Sequence, residues 1–290
     1  MFGLMRAAAE NFAFAPVRFT GADGLDLAGE QIGAGAPVLF LHGGGQTRRS
    51  WRSGAQAAAA AGYRAIAIDQ RGHGDSAWSP TGDYSPEAFG RDTAEIAKAL
   101  GEPVVLVGAS RGGQGAIAAA ATLGAGVRAL VLVEITPKID KAGADQVRDF
   151  MRATASGFNT VEEAARAVAV HMKREHGGDP ERLRRSMREG DDGRLYWRWD
   201  PAIVTRPEDW LNVEKRLEAA IGVVTAPILL VRGSESTVVR EEHARHLQTH
   251  APHAEVVTVA GAGHMVSGDQ NTAFNEAILA FLRRCVSPHQ

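Results

Sequence analysis

An apolar run that breaks at a glycine, presents a serine and then continues as a helix constrains this chain more than any other stretch. It reads Pro103-Val104-Val105-Leu106-Val107-Gly108-Ala109-Ser110-Arg111-Gly112-Gly113 and flows into the alanine-rich Gln114 to Leu123. Val104 to Val107 is short, mostly β-branched and without polar alternation, which suits a strand buried on both faces of a parallel sheet. Gly108 and Gly112 lack a Cβ, so strand and helix can approach closely around Ser110, and a strained backbone at Ser110 itself is tolerable. That turn lifts the hydroxyl clear of the sheet edge. The N–H of Arg111, at the helix N-terminus, then points to where a negative oxygen forms on an attacked carbonyl. Ser110 is therefore a candidate nucleophile. In a chain with 33 glycines a G-x-S-x-G pentapeptide can arise by chance, so the neighbouring stretches must carry the assignment.

Those stretches alternate. Val17 to Thr20 and Leu25 to Gln31, split by Gly21-Ala22-Asp23-Gly24, predict an antiparallel hairpin. Pro37 to Leu41 predicts a buried strand that stops at His42-Gly43-Gly44-Gly45-Gln46, where uncovered backbone N–H groups make Gly44, with Gly45 beside it, a candidate second donor to an oxyanion. A helix over Arg48 to Ala61 and a strand over Tyr63 to Ile68 follow, running into Asp69-Gln70-Arg71-Gly72-His73-Gly74-Asp75-Ser76. His73 and Asp75 stand too close together around glycines to act as a catalytic pair; hydrogen bonds from Asp69, Arg71 and Ser76 shape this loop instead. Pro86 to Leu100 predicts a helix and Val127 to Val133 a strand. Ala226 to Val231, a helix over Arg240 to His250, Ala254 to Val259 and a helix over Gln270 to Arg284 complete the pattern. Strand and helix in alternation predict an α/β fold with a mostly parallel eight-stranded sheet and helices on both faces. Ligands bind beyond the carboxyl ends of such strands, where Gly44, Ser110 and Glu134 all fall.

Between Pro137 and Val224 no strand-like run occurs. Helices are predicted over Asp140 to Ala155, Thr160 to His176, Asp179 to Glu189 and Pro207 to Ile221, as an inserted helical cap. The domain reading is an N-terminal extension over 1–15, a core over 16–136 and 226–290, and the cap over 137–225. Trp197, Trp199 and Trp210, with Tyr196, are either the apolar wall of a substrate pocket or the glue that holds the cap to the sheet.

A formal charge of −2 and a pI near 6.6 give no electrostatic reason to bind nucleic acid or an anionic membrane. The single Cys285 excludes an internal disulfide and fits a reducing compartment. Met1 to Ala15 has no continuous apolar segment, so it reads as an extension packed on the surface rather than a signal peptide, and a cytoplasmic location is the expectation. A small-molecule substrate is expected as the partner, and a homodimer stays open. His243, His246, His250 and His253 include three that share a helix face, a spacing able to grip a metal. Glu241, Glu242 and Arg245 beside them read as an ordinary solvated surface, and neither metal nor cofactor is expected.

The residues together resemble the α/β-hydrolase superfamily over nearly all of Val17 to Leu282. His42-Gly43-Gly44, Asp69 to Ser76, Gly108-Ala109-Ser110-Arg111-Gly112 and Gly261-Ala262-Gly263-His264 match that family's oxyanion loop, the loop after its fourth strand, its nucleophile elbow and its histidine loop, in order. The resemblance implies that Ser110 attacks an acyl carbon, that His264 shuttles its proton, and that the N–H groups of Gly44 and Arg111 hold the oxyanion. It also implies a carboxylate that orients the histidine, and here the sequence departs. In relatives with an R-G-x-x-S-D segment the aspartate follows the serine, whereas Ser236 is followed by Thr237. Glu134, at the end of the strand after the nucleophile helix, resembles the acid of one branch of haloalkane dehalogenases and of zearalenone lactone hydrolases. Glu235 is the alternative, two positions early, and reach favours Glu134. Gly45, Trp197, Trp199, Trp210 and Met265 are the candidate substrate contacts. The reading is a cofactor-independent serine hydrolase of a carboxylic ester or lactone, apolar or aromatic. Carbon–carbon bond hydrolysis, perhydrolysis and non-catalytic ligand binding remain alternatives on the same fold.

Overall fold

Short β-branched runs become strands, and they do so almost where the apolar pattern begins and ends. The coordinates are a computed structural model, and the structure describes residues 13–172, 175, 177, 179–205, 209–263 and 272–288. The strands of the main sheet are β1 (Ala15–Thr20), β2 (Asp26–Ile32), β3 (Pro37–Leu41), β4 (Arg64–Ile68), β5 (Val104–Ala109), β6 (Val127–Val133), β9 (Ile228–Gly233) and β10 (Glu255–Val259). They form one eight-stranded sheet in the order β1-β2-β4-β3-β5-β6-β9-β10. The β1–β2 and β2–β4 pairs are antiparallel and the rest parallel. This is the mostly parallel α/β-hydrolase sheet that the sequence predicts.

Alternate residues along each strand serve opposite faces. Leu39, Leu41, Leu106, Leu130 and Leu230 face one layer, where they meet Ala116, Ile117 and Ala120 of α3 (Arg111–Leu123). Val38, Phe40, Val105, Val131 and Val231 face the other, against Ala55 of α1 (Arg52–Ala60) and Phe274, Ile278 and Phe281 of α10 (Thr272–Cys285). Helix α2 (Pro86–Leu100) starts on a Ser85 cap, whose Oγ accepts the Ala88 N–H at 3.2 Å, and stops at Gly101 with φ 72°. A single 3-10 turn, Arg48–Trp51, precedes α1. Most of the expected N-terminal extension lies outside the described residues; Phe14 packs on the second core layer and Ala15 already belongs to β1.

The segment between β6 and β9 departs from the expectation in two ways. It holds α4 (Lys141–Thr154), α5 (Val161–Met172), α6 (Pro180–Arg184), α7 (Ala202–Thr205) and α8 (Trp210–Gly222), but also a hairpin of β7 (Met187–Glu189) and β8 (Leu195–Trp197). The helix expected over Asp179 to Glu189 therefore ends early, and its last residues pair as a strand. The hairpin continues into the core: His73 and Trp199 form a bridge, the Gly74 N–H donates to the Arg198 carbonyl at 2.7 Å, and the Asp200 N–H donates to that of Gly72 at 2.8 Å. Second, α8 packs on the sheet domain along one face. Val213, Leu217 and Ile221, a stripe of spacing four, are buried in the first core layer, so α8 completes the sheet's covering. Among the described residues, no helix is long and apolar enough to cross a membrane.

Candidate active site

Ser110 joins β5 to α3 with φ 47° and ψ −118°, a backbone region that costs a non-glycine residue about 1–3 kcal/mol. The surroundings hold it there. Its N–H donates to the Val133 carbonyl at 3.0 Å, and its own carbonyl accepts from Gly113 at 2.9 Å and Gln114 at 3.1 Å. A Cβ on Gly112 would stand 2.4 Å from the Leu41 carbonyl oxygen, and one on Gly108 2.6 Å from that of Gly112. The two glycines are required because β3, β5 and α3 meet backbone to backbone at this point.

The loop after β3 closes on the same place. A Cβ built on Gly43 lies 3.5 Å from the Ser110 Cβ, and one on Gly44 lies 3.8 Å from the Arg111 Cβ. The Gly43 N–H donates to Gln46 Oε1 at 3.1 Å, and the Gly45 N–H donates to His73 Nε2 at 3.1 Å. The Gly44 N–H has no acceptor among the described residues, and the Arg111 N–H stands in the first turn of α3, directly after Ser110. Gly45, expected as a companion donor and substrate contact, gives its N–H to His73 and lies outside the pocket lining. Two buried imidazoles fix this loop. His42 and His73 meet edge to face at 4.9 Å, and burial pulls their pKa values down to about 4 and about 3. Both are neutral: each Nδ1–H donates to a carbonyl, of Gly43 at 2.8 Å and Arg71 at 3.0 Å, and each Nε2 accepts a backbone N–H, from Gln70 and Gly45 at 3.1 Å.

The two candidate acids part company. Glu134, with φ 56° at the end of β6, is 1 % exposed and lines the pocket. Its carboxylate accepts the Gly233 N–H and the Ser236 hydroxyl. Lys138 pairs instead with Glu214, at 3.7 Å. Glu235 is exposed; its backbone N–H donates to the Ala262 carbonyl at 2.9 Å. That carbonyl oxygen lies 2.1 Å from where a Cβ on Gly233 would be, so the loop of Ala262 runs directly against the residue that donates to Glu134. His264 and Met265 lie outside the described residues.

Above Ser110 opens a pocket with an aliphatic wall of Ile135, Ile139, Val147, Met151, Ile203 and Val204. Trp210 and Val238 add to it, and besides Ser110, Arg111 and Glu134 its polar points are Gln46, Gln114 and Arg148. Arg148 lies over the Trp210 ring, 5.8 Å from its centroid. Trp197 and Trp199 are not in the lining. Trp197 donates its Nε1–H to Thr154 at 3.0 Å, and Trp199, 3 % exposed, packs with Tyr84, Phe89 and Met151. Trp197 packs within the segment between β6 and β9, edge to face with Phe158, and Trp199 joins that segment to Tyr84 and Phe89, whereas Trp210 faces the cleft. Gln114 and Arg148 escaped the sequence reading, although Gln114 falls four residues after Ser110 and so on the same helix face.

The loop after β4 is shaped as expected. Asp69 accepts the N–H groups of Arg48 at 2.6 Å and Asp75 at 2.9 Å, Ser76 Oγ donates to the Asp69 carbonyl, and Arg71 pairs with Asp92. Of the four histidines around α9 (Glu241–His250), His243 accepts the Arg240 N–H and His253 bonds to the Ala226 carbonyl. His246 and His250 each bring one ligand atom, with Glu218, to within 4.8 Å of one another.

A strained serine between strand and helix, a glycine loop beside it and a buried carboxylate at the next strand end define an α/β-hydrolase site, and the chain belongs to the alpha/beta hydrolase family, whose profile matches residues 38–277. It is 33 % identical over 266 residues to the esterase Rv0045c of Mycobacterium tuberculosis, covering 86 % of this chain and 84 % of that protein. It is 29 % identical over 255 residues to the sn-1-specific diacylglycerol lipase ABHD11 of Mus musculus, covering 84 % and 80 %. The solved structure of E-2-(acetamidomethylene)succinate hydrolase superposes with a TM-score of 0.82 at 26 % identity, over 93 % of this chain and 100 % of that one.

Proposed function

We propose that the protein hydrolyses a carboxylic ester or lactone of a small, largely apolar molecule through an acyl-enzyme on Ser110. The observation that carries this is the placement of Ser110, held at φ 47° beside Gly43 and Gly44, at the floor of an aliphatic pocket with Glu134 in its wall. The names of the esterase and lipase relatives agree with it. Ser110 Oγ attacks the acyl carbon while His264 takes its proton. The oxyanion accepts from the Gly44 and Arg111 N–H groups, and the carbon–oxygen bond to the leaving alcohol breaks as His264 returns the proton to that oxygen. Water then attacks the acyl-enzyme, His264 accepts its proton and delivers it to Ser110 Oγ, and the acid leaves. Glu134 orients His264. In support of that pairing, Glu134 accepts from Gly233, and Gly233 is packed against Ala262, two residues before His264. The segment between β6 and β9 serves as the cap, with Ile203, Val204 and Trp210 closing over the acyl group.

The test is hydrolysis of a 4-nitrophenyl ester series and a lactone panel, together with labelling by a fluorophosphonate. Wild type turns over at least one member and is labelled; Ser110→Ala, with an unchanged circular dichroism spectrum, does neither. Folded wild-type protein that is neither labelled nor active would identify a non-catalytic binder and overturn the proposal.

A further inference from the structure

The pocket wall is aliphatic at most points, and one of its polar points is left unsatisfied. Gln114 stands one turn along α3 from Ser110, a rise of about 5.4 Å, on the face that carries the serine. Its side chain lines the pocket at 4 % exposure, and its Oε1 is buried with no hydrogen-bond donor among the described residues. The other carboxamide in the lining is engaged, since Gln46 Oε1 accepts the Gly43 N–H. The Trp210 indole N–H donates to Asp145 at 3.3 Å. A buried acceptor without a donor destabilises the fold that holds it, and Met or Leu would fill the same volume at no such cost. A polar group kept in that position is completed by what binds there.

We propose that Gln114 is a specificity-determining residue that reads a hydroxyl on the acyl part of the substrate, a few bonds from the scissile carbonyl. This rests on the serine-hydrolase reading above. A hydroxyl is the fitting group because it both donates and accepts, so it satisfies the carboxamide whichever end of the amide faces inward. The aliphatic wall holds the rest of the acyl chain. The substrate class is then a short hydroxyacyl ester, or the lactone of a hydroxy acid with a second hydroxyl, rather than a plain fatty ester.

The experiment compares 4-nitrophenyl 3-hydroxybutanoate with 4-nitrophenyl butanoate. Wild type should favour the hydroxy ester by about 10- to 100-fold in kcat/KM, the discrimination one buried hydrogen bond supplies, and Gln114→Met and Gln114→Leu should bring the ratio to about one. Gln114→Met should also raise Tm by about 2–4 °C, as the orphaned oxygen is removed. A purely structural glutamine would give the reverse: a lower Tm and an unchanged ratio. Binding separates this inference from the chemistry it rests on. In the Ser110→Ala background, 3-hydroxybutanoate should raise Tm more than butanoate, and Gln114→Met should erase the difference. That preference without turnover of either ester in wild type would sink the hydrolase reading and leave Gln114 only as the reader of a hydroxyl on a bound acid. A wild-type ratio near one, or equal shifts from the two acids, would overturn it.

Discussion

Glu134 reaches from the end of β6 to the loop beyond β9, where it takes the hydroxyl proton of Ser236 into a hydrogen bond. It thereby reaches, from a different strand, the loop in which an aspartate after Ser236 would stand. Glu134→Gln should lower kcat for a nitrophenyl ester by about 10³–10⁴, the cost of losing the charge that orients a catalytic imidazole. Glu235→Gln, at an exposed position, should change it by less than about twofold. Steady-state kinetics on both variants checks this, and the opposite pattern would transfer the role to Glu235.

The glycines around Ser110 are not interchangeable. Gly112→Ala drives a methyl group to 2.4 Å from the Leu41 carbonyl oxygen, a backbone atom that cannot swing aside, so Tm should fall by roughly 10 °C or more or the protein should fail to fold. Gly44→Ala meets nothing nearer than 3.8 Å and keeps its N–H, so its Tm should stay within about 2 °C of wild type. Thermal melts of the pair decide the point.

Acid should loosen the protein before it titrates most carboxylates. Burial holds the His42 and His73 pKa values near 4 and 3, while in the unfolded chain both titrate near 6.5. Below pH 6.5 the unfolded state therefore binds protons that the folded state refuses, and stability that is complete above that pH is lost as it falls toward 4. From pH 7 to pH 5 the loss is about 2 kcal/mol for each histidine, or roughly 5–10 °C in Tm together. Asp69, pushed up by burial, acts in the opposite sense in the carboxylate range, so the window above pH 5 is the informative one. His73→Asn should flatten about half of the slope; an unchanged slope would contradict the assignment of neutral imidazoles.

Two tryptophans of the segment between β6 and β9 should behave differently. Trp199→Ala removes a ring that is 3 % exposed and should cost about 3–5 kcal/mol in denaturant unfolding. Trp210→Ala removes part of the pocket lining and should act chiefly on KM for esters with longer acyl chains, with a smaller loss of stability. Equal effects of the two on stability and on KM would refute the division.

The sheet was legible because strands such as β3, β5 and β6 are buried on both faces and so spell out unbroken apolar runs. Ser110, Gly44 and the loop from Asp69 to Ser76 were legible because glycine spacing marks where backbone must approach backbone. The β7–β8 hairpin was not: three residues a side, with Arg188 and Glu189 in the first strand, carry no alternation, and pairing with a neighbour overrides their local preference. The core role of α8 was written in Val213, Leu217 and Ile221, but a stripe says only that a face is buried, not against what. Gln114 fell inside a helix full of alanine, and an acceptor left without a donor shows only when its neighbours are in place.

The backbone bonds between Gly74 and Arg198 and between Asp200 and Gly72 stitch the segment between β6 and β9 to the loop after β4. Because main-chain atoms make that seam, no side-chain replacement at these four positions would remove it, and the segment above Ser110 stays moored to the core at this edge whatever residues evolution places there.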